Sequence, residues 1–133
     1  MSPVSAASLR QASDLLRLAQ RDQVAVESFK TLPEIDFAII AFHAQQCIEK
    51  CMKAVLSKHE ITYPRTHDLD DLCELLAEAG LDMPVSRELL NDITPYAVTS
   101  RYEVDAEDLV TYAQIDKAVT TTVLWANSLI NPL

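Results

Sequence analysis

Glycine is nearly missing from this chain, since Gly80 is the one glycine among 133 residues. Phosphate-binding loops and dinucleotide-binding folds need several glycines at fixed spacing, because glycine allows the backbone to approach a phosphate closely. Sandwiches and barrels also use glycines in their many tight turns. The composition therefore excludes a Gly-rich phosphate loop and argues against an all-β fold.

Positive charge is also scarce. The chain has 11 lysines and arginines against 20 aspartates and glutamates, which gives a formal net charge of -9. Proteins that bind nucleic acid without regard to its sequence are usually basic, because their affinity comes from neutralising phosphates. We therefore expect no non-specific nucleic-acid binding, although a local basic site is compatible with this charge.

Long apolar runs and a disulfide framework are missing as well. The longest uncharged stretch, residues 118–133, contains threonine, serine and asparagine and is too short and polar to span a bilayer. Residues 1–4 include no charged start before an apolar run, so the sequence predicts no signal peptide. Three cysteines are an odd number without scaffold spacing. We predict a soluble, cytoplasmic protein with reduced thiols and no membrane contact.

Apolar residues recur at helical spacing through most of the chain and predict five helices. These cover about residues 8–30, 34–59, 68–80, 84–95 and 106–129. Short connections place neighbouring helices antiparallel, so the predicted fold is all-α, an up-and-down bundle of four long helices plus one shorter helix. No repeat or linker divides the chain. We therefore expect a single helical domain over residues 1–133, with its core at about 8–130.

The second predicted helix carries a narrow polar ribbon on an otherwise apolar surface. An arc of roughly 80 degrees around the helix axis contains four polar residues, His43, Gln46, Lys50 and Lys53. One interpretation of this ribbon is a solvated stripe. The other starts from Lys50 and Lys53, which lie one turn apart and repel each other slightly. A bound anion or an acidic partner would relieve that repulsion, so both interpretations stay open.

A zinc site is the alternative use of the same helix. His43, Cys47 and Cys51 recur every four residues, and Cys73 or His67 would complete a set of four ligands. Thiolates with imidazole suit zinc. However, one helix rarely gives three ligands tetrahedral geometry, and cysteine is a common small core residue. We predict no metal site and no cofactor.

Three short patterns resemble one known family. The second helix carries an aromatic-x-x-Gln-Gln-x-x-Glu-Lys-x-x-Lys-Ala pattern at residues 42–54, Thr66-His67-Asp68-Leu69 opens the third helix, and Tyr96 is followed by Ser100-Arg101-Tyr102. The order and spacing of these patterns resemble HEPN domains of the prokaryotic, nucleotidyltransferase-associated type, over about residues 8–130. The resemblance implies an all-α bundle that often forms a homodimer and is encoded beside a minimal nucleotidyltransferase, as a toxin–antitoxin or nucleotide-handling pair.

Our first hypothesis from this resemblance is an interaction module that binds a nucleotide and pairs with a nucleotidyltransferase. In this hypothesis Lys50, Lys53 and Arg101 form an anion pocket. Hydrogen bonds to the nucleotide come from His43, Gln46 and Tyr96, and Tyr102 is a further candidate binding residue. The opposing interpretation is that Arg101 and Tyr102 only pin the last loop to the bundle.

Ribonuclease activity is the second hypothesis. Many HEPN proteins are metal-independent ribonucleases that use an arginine, then four to six residues, then a histidine. No arginine and histidine of this sequence have that order and spacing, so the resemblance argues against an enzyme of the usual kind. His67 and Arg101 are the candidates for a non-standard active site, as acid–base group and phosphate-stabilising group. The opposing interpretation is that His67 only hydrogen-bonds the helix start, and a purely structural subunit is the third hypothesis.

Overall fold

Helices form all the regular secondary structure of the residues that the computed structural model describes, 3–98 and 110–132. Their bounds are α1 (Ala6–Phe29), α2 (Phe37–Lys58), α3 (Leu69–Glu78), α4 (Arg87–Ile93), a 3-10 turn (Thr94–Ala97) and α5 (Tyr112–Ile130). The prediction of an all-α chain is confirmed for these residues.

A side chain caps the first turn of every α-helix. The capping residues are Ser5, Asp36, Asp68, Ser86 and Thr111. Each accepts a hydrogen bond from one of the first N–H groups, which have no partner within the helix. At α5 the cap is reciprocal, because Gln114 also accepts from the Thr111 N–H over 2.8 Å. This capping box starts α5 at Tyr112 rather than near residue 106, and residues 106–109 lie outside the described part.

The helix lengths differ from the prediction of four long helices and one shorter one. α1, α2 and α5 have 24, 22 and 19 residues, whereas α3 has 10 and α4 has 7. Gly80 has a φ of 76°, a left-handed conformation that glycine adopts without strain, and it follows the end of α3 closely. Pro95 lies in the 3-10 turn that replaces the helix after α4. None of the described helices combines the length and hydropathy needed to cross a membrane.

α1 and α2 run antiparallel, as contacts at their two ends demonstrate. At one end the Ser5 backbone N–H donates to a Glu60 carboxylate oxygen over 2.8 Å. At the other end the rings of Phe29 and His43 meet edge to face, with centroids 5.6 Å apart. Residue numbers therefore rise along α1 in the direction in which they fall along α2. The complete up-and-down order of the bundle remains a prediction.

α2 lies at the centre of the core, in contact with α1, α3, α4 and α5. Its end is tied to α5, because the Lys58 ammonium donates to the Leu129 carbonyl oxygen. The fully buried apolar residues of this helix are Ala41, Ala44, Cys47, Ile48, Cys51, Met52, Ala54, Val55 and Leu56. Polar side chains on such a helix need partners within the protein, because a buried polar group without a hydrogen bond is costly.

Candidate functional site

Asp22 of α1 is a buried carboxylate that receives two partners from α2. Its residue exposure is 9 %. The Nδ1 atom of His43 lies 2.9 Å from Oδ1 of Asp22, and the Lys50 ammonium donates to Oδ2 over 2.6 Å. His43 and Lys50 are seven residues apart, about two helical turns, so both side chains face α1. We call these three residues the Asp22 cluster.

The His43 imidazole is enclosed by aromatic rings as well as by this carboxylate. Its centroid lies 5.6 Å from that of Phe29 and 5.3 Å from that of Phe42, both in edge-to-face geometry. Such ring pairs add to the stability that burial itself contributes. The Asp22 cluster thus joins α1 to α2 by charge, hydrogen bonding and ring packing together.

Glu49 is the second buried carboxylate, and it lies on α2 itself with an exposure of 4 %. Its Oε1 lies 2.8 Å from Nδ1 of His67 and accepts from the Gln45 amide over 3.1 Å. Its Oε2 accepts from the Lys53 ammonium over 3.1 Å. We call Gln45, Glu49, Lys53 and His67 the Glu49 cluster.

Gln45 ties this cluster to the chain that enters α3. Its amide nitrogen donates to the His67 carbonyl oxygen over 2.9 Å as well as to Glu49, and its amide oxygen accepts from Gln46 over 2.7 Å. The side chain has no exposed surface. Because both ends of this buried amide are satisfied, it holds the His67 backbone in a defined place beside Glu49.

The histidines of the two clusters differ most in the exposure of their side chains. The His67 side chain is 69 % exposed, whereas that of His43 is 29 % exposed. Because a carboxylate accepts at Nδ1, that nitrogen of His67 carries a proton, and among the described residues Nε2 has no partner and can act on a ligand. The neutral ring then offers a lone pair at Nε2, and the protonated ring offers an N–H donor there. The Glu49 cluster thus presents a preoriented acid–base group at the surface.

The lysine charges are compensated in both clusters. Lys50 faces Asp22 and Lys53 faces Glu49, so each cluster carries one carboxylate and one ammonium. The Lys53 ammonium also lies 5.6 Å from the centroid of the Tyr63 ring, in the geometry of a cation–π contact. The ribbon is therefore a set of ion pairs and not a bare cationic patch.

The structure divides the predicted ribbon between the two buried carboxylates. His43 and Lys50 belong to the Asp22 cluster, Lys53 and His67 belong to the Glu49 cluster, and Gln46 donates to Gln45 beside the latter. Their role in nucleotide binding stays a prediction.

The remaining predicted site residues lie elsewhere. Tyr96 is buried in the 3-10 turn and its ring packs edge to face on Phe37, the first residue of α2, at 6.0 Å. Lys53 lies sixteen residues further along, a distance of about 24 Å along the helix axis. Arg101 and Tyr102 lie outside the described residues, so the pocket that joins Arg101 to the lysines remains a prediction.

Asp22 and Glu49 are the residues that the sequence reasoning left without a role. Asp22 stands in the series of buried α1 residues Ala12, Leu16, Ala19, Asp22 and Val26. An acid at a core position of a helical repeat signals a buried partner, because an unpaired charge does not stay in a core. Glu49 gives the same signal, since it is a charged residue within the buried run of α2.

The three cysteines are buried thiols. A hydrogen bond with Cys51, together with burial, raises the pKa of the Cys47 thiol well above its usual range. Burial is also the main cause that raises the pKa of Cys73. Over residues 3–98 and 110–132, no three histidine, cysteine or acidic side chains are grouped so as to hold a metal ion. The cysteines therefore act as small core residues here.

Comparison with known proteins gives a family but no individual relative. A family model of the HEPN domain matches residues 7–124. No curated protein and no solved structure gives a significant match to the chain. The matched range includes both carboxylate clusters, all of α1 but its first residue, α2 to α4 and most of α5.

Proposed function

The chain belongs to the HEPN domain family, and from this premise we propose that it is an interaction module that binds a nucleotide and works with a separate nucleotidyltransferase. The nucleotide phosphate binds at the Glu49 cluster, where His67 and Lys53 receive it. The observation that carries this proposal is the His67 imidazole, which a buried carboxylate holds at 2.8 Å while 69 % of the side chain is exposed.

The protonation of His67 decides how this site meets a phosphate. Glu49 compensates the charge of Lys53, so the ammonium alone is a weak attraction for an anion. A protonated His67 adds one positive charge and an Nε2–H donor that points away from Glu49. Phosphate binding therefore uses the Nε2–H donor of His67 together with Lys53.

Metal-independent cleavage of RNA is the second candidate function, and the pair of Glu49 and His67 favours it. The neutral His67 ring has its lone pair at Nε2, so it takes the proton of a ribose 2′-hydroxyl as that oxygen attacks the adjacent phosphorus. The bond to the 5′-oxygen breaks, that oxygen takes a proton from solvent, and a 2′,3′-cyclic phosphate forms. Lys53 lies on the other oxygen of the same carboxylate, where its charge stabilises the developing anion.

Partnership with a nucleotidyltransferase, in a toxin–antitoxin or nucleotide-handling pair, rests on family membership, as does formation of a homodimer. The net charge of -9 suits a basic docking surface on such a partner. Co-expression with the product of the neighbouring gene tests the partnership, and light scattering of the purified protein tests the dimer. A monomeric protein that emerges alone from co-purification contradicts this part of the proposal.

Calorimetry with ATP tests the central part of the proposal. We expect His67→Asn to weaken ATP binding at least tenfold, because it removes the imidazolium and leaves the largely exposed position otherwise unchanged. His59→Asn is the matched control, since His59 is also exposed but its Nδ1 lies 2.9 Å from the Val55 carbonyl oxygen. No heat at millimolar ATP, or equal losses in both variants, overturns it.

An RNA incubation separates the two candidate functions. The protein is mixed with single-stranded and structured RNA in the presence of a chelator, with His67→Asn and His59→Asn beside the unmodified chain. Cyclic-phosphate products that disappear only in His67→Asn support cleavage. RNA that stays intact over hours, together with ATP binding in the calorimeter, leaves nucleotide binding as the function.

A further inference from the structure

The loop between α2 and α3 is held to the Glu49 cluster at two points. At the first, the Tyr63 ring contacts the Lys53 ammonium, with 5.6 Å between the nitrogen and the ring centroid. At the second, Nδ1 of His67 lies 2.8 Å from the Glu49 carboxylate. Because the connection between these two points is short, its middle residue stays close to the cluster. The connecting residues are Pro64, Arg65 and Thr66.

Arg65 is the middle residue of this connection, and the chain bends there. Consecutive Cα atoms are about 3.8 Å apart, so the Cα atom of Arg65 lies within about 7.6 Å of the Cα atoms of both Tyr63 and His67. Pro64 fixes its own φ, and the Thr66 hydroxyl oxygen accepts the backbone N–H of the residue that caps α3 over 3.0 Å. The connection is therefore restrained on both sides of Arg65.

The charge of Arg65 is not offset by an ion pair. The residue is exposed, and its guanidinium forms neither an ion pair nor a hydrogen bond with any residue that the structure describes. Lys53 differs on both counts, because it is paired with Glu49 and its side chain is only 15 % exposed. A phosphate that reaches His67 therefore has an accessible cation close by in Arg65, which adds the positive charge that the paired Lys53 lacks.

The chemistry of arginine indicates which ligand group this cation takes. Its planar guanidinium donates two parallel N–H bonds to a phosphate, which gives both charge and defined geometry. We infer that Arg65 binds the phosphate next to the one that His67 and Lys53 receive, and so selects nucleotides with more than one phosphate. This inference rests on the proposed function and names nucleoside diphosphates and triphosphates as the substrate class.

Calorimetry with AMP, ADP and ATP tests the inference. We expect the unmodified protein to bind ADP and ATP at least fivefold more tightly than AMP. Arg65→Gln should weaken ATP binding at least fivefold and change AMP binding less than twofold, because AMP lacks the second phosphate. The variant should fold as well as the original, since the replaced side chain is exposed and has no partner among the described residues. Urea unfolding checks this.

Arg21→Gln is the matched control. Arg21 is an exposed arginine of α1 that also has no ion pair among the described residues, so the variant removes the same charge from another surface. It should change ATP affinity less than twofold. High salt gives a second control, because ions screen a contact between exposed charges. The preference of the unmodified protein for ATP over AMP should shrink as salt is added, and a preference that salt leaves unchanged contradicts a charge contact at Arg65.

The result also separates this inference from the proposed function. Equal ATP affinities in Arg65→Gln and Arg21→Gln, or equal affinities of the unmodified protein for AMP and ATP, overturn selection by Arg65. The phosphate site then still stands if His67→Asn weakens binding. Equal losses of AMP and ATP affinity in Arg65→Gln overturn the inference too, because Arg65 would then act on the first phosphate. Failure of all three nucleotides to bind overturns both proposals. A preference for ATP that disappears in Arg65→Gln alone supports the assignment.

Discussion

The Asp22 cluster and the Glu49 cluster share three groups, a buried carboxylate, a lysine and a histidine. They differ in where the partners of the carboxylate come from and in how far the histidine is exposed. Asp22 receives its partners from another helix, and its histidine is enclosed by two phenyl rings. Glu49 receives two partners, Gln45 and Lys53, from its own helix, and its histidine is mostly exposed. The comparison teaches that the composition of a charged cluster does not define its role. The solvent access of its histidine distinguishes a connection between helices from a site that meets a ligand.

Removal of the Asp22 carboxylate should have the largest effect on stability. Asp22→Ala leaves Lys50 and His43 without their partner in a largely buried place, and such losses cost about 3 kcal/mol. Urea unfolding measures the change. Asp14→Ala is the control, because Asp14 is exposed and its ion pair with Arg17 is worth less than about 0.5 kcal/mol. Equal losses in the two variants contradict a structural role for the cluster.

Glu49→Gln should reduce stability by about 2 kcal/mol and also abolish ligand binding. The amide keeps the shape of the side chain but brings N–H donors toward Lys53 and no longer orients the His67 ring. Urea unfolding and ATP calorimetry on the same preparation measure the two effects. Glu74→Gln, which removes an exposed partner of Arg87, should change neither by much. A stable Glu49→Gln variant with unchanged ATP affinity goes against the account.

The two histidines should respond in opposite ways. His67→Asn should change the free energy of unfolding by less than about 0.5 kcal/mol, because the ring is mostly exposed. His43→Asn should reduce it by about 1 kcal/mol, through lost ring packing and a weaker bond to Asp22. ATP affinity should fall only for the former. Loss of ATP binding in His43→Asn, with a stable fold, would reverse the roles assigned to the two clusters.

The smallest expected effect is a change in stability at alkaline pH. It has to be measured apart from any effect of the lysines of both clusters. Burial, with smaller contributions from Asp116 and Glu27, raises the pKa of Tyr112 above its ordinary value of 10.0. The unfolded chain therefore ionises this phenol first, so its contribution to stability is complete below pH 10 and is lost as the pH rises through the raised pKa. Tyr112→Phe should flatten the fall in stability at alkaline pH, and an unchanged fall contradicts this origin.

The fold could be predicted largely from helical periodicity and from capping residues, because both act over a few neighbouring positions. Asp68 and Gly80 mark the limits of α3 in the sequence almost as the structure has them. The start of α5 was predicted too early, since periodicity does not reveal that Thr111 and Gln114 cap each other. The single domain over residues 1–133 remains a prediction.

The candidate site could be predicted only in part, because spacing identifies the residues on one side of a helix but not their partners. One of the two interpretations of Lys50 and Lys53 was as cations in need of an anion, and the anions are Asp22 and Glu49 of the same chain. Asp22 lies 28 residues from Lys50, so only the packing of α1 on α2 reveals the pair. The placement of His67 follows in the same way from the Gln45 amide that binds its backbone.

The histidine resonances of the protein during an ATP titration test whether the ligand binds at His67. The chain has three histidines, and they lie in the Asp22 cluster, at the end of α2 and in the Glu49 cluster. Single substitutions assign their ring signals in a proton–carbon NMR spectrum. We expect the His67 ring signals to move with ATP while those of His43 and His59 stay in place. A spectrum in which His67 stays in place, or in which His43 moves instead, would contradict it.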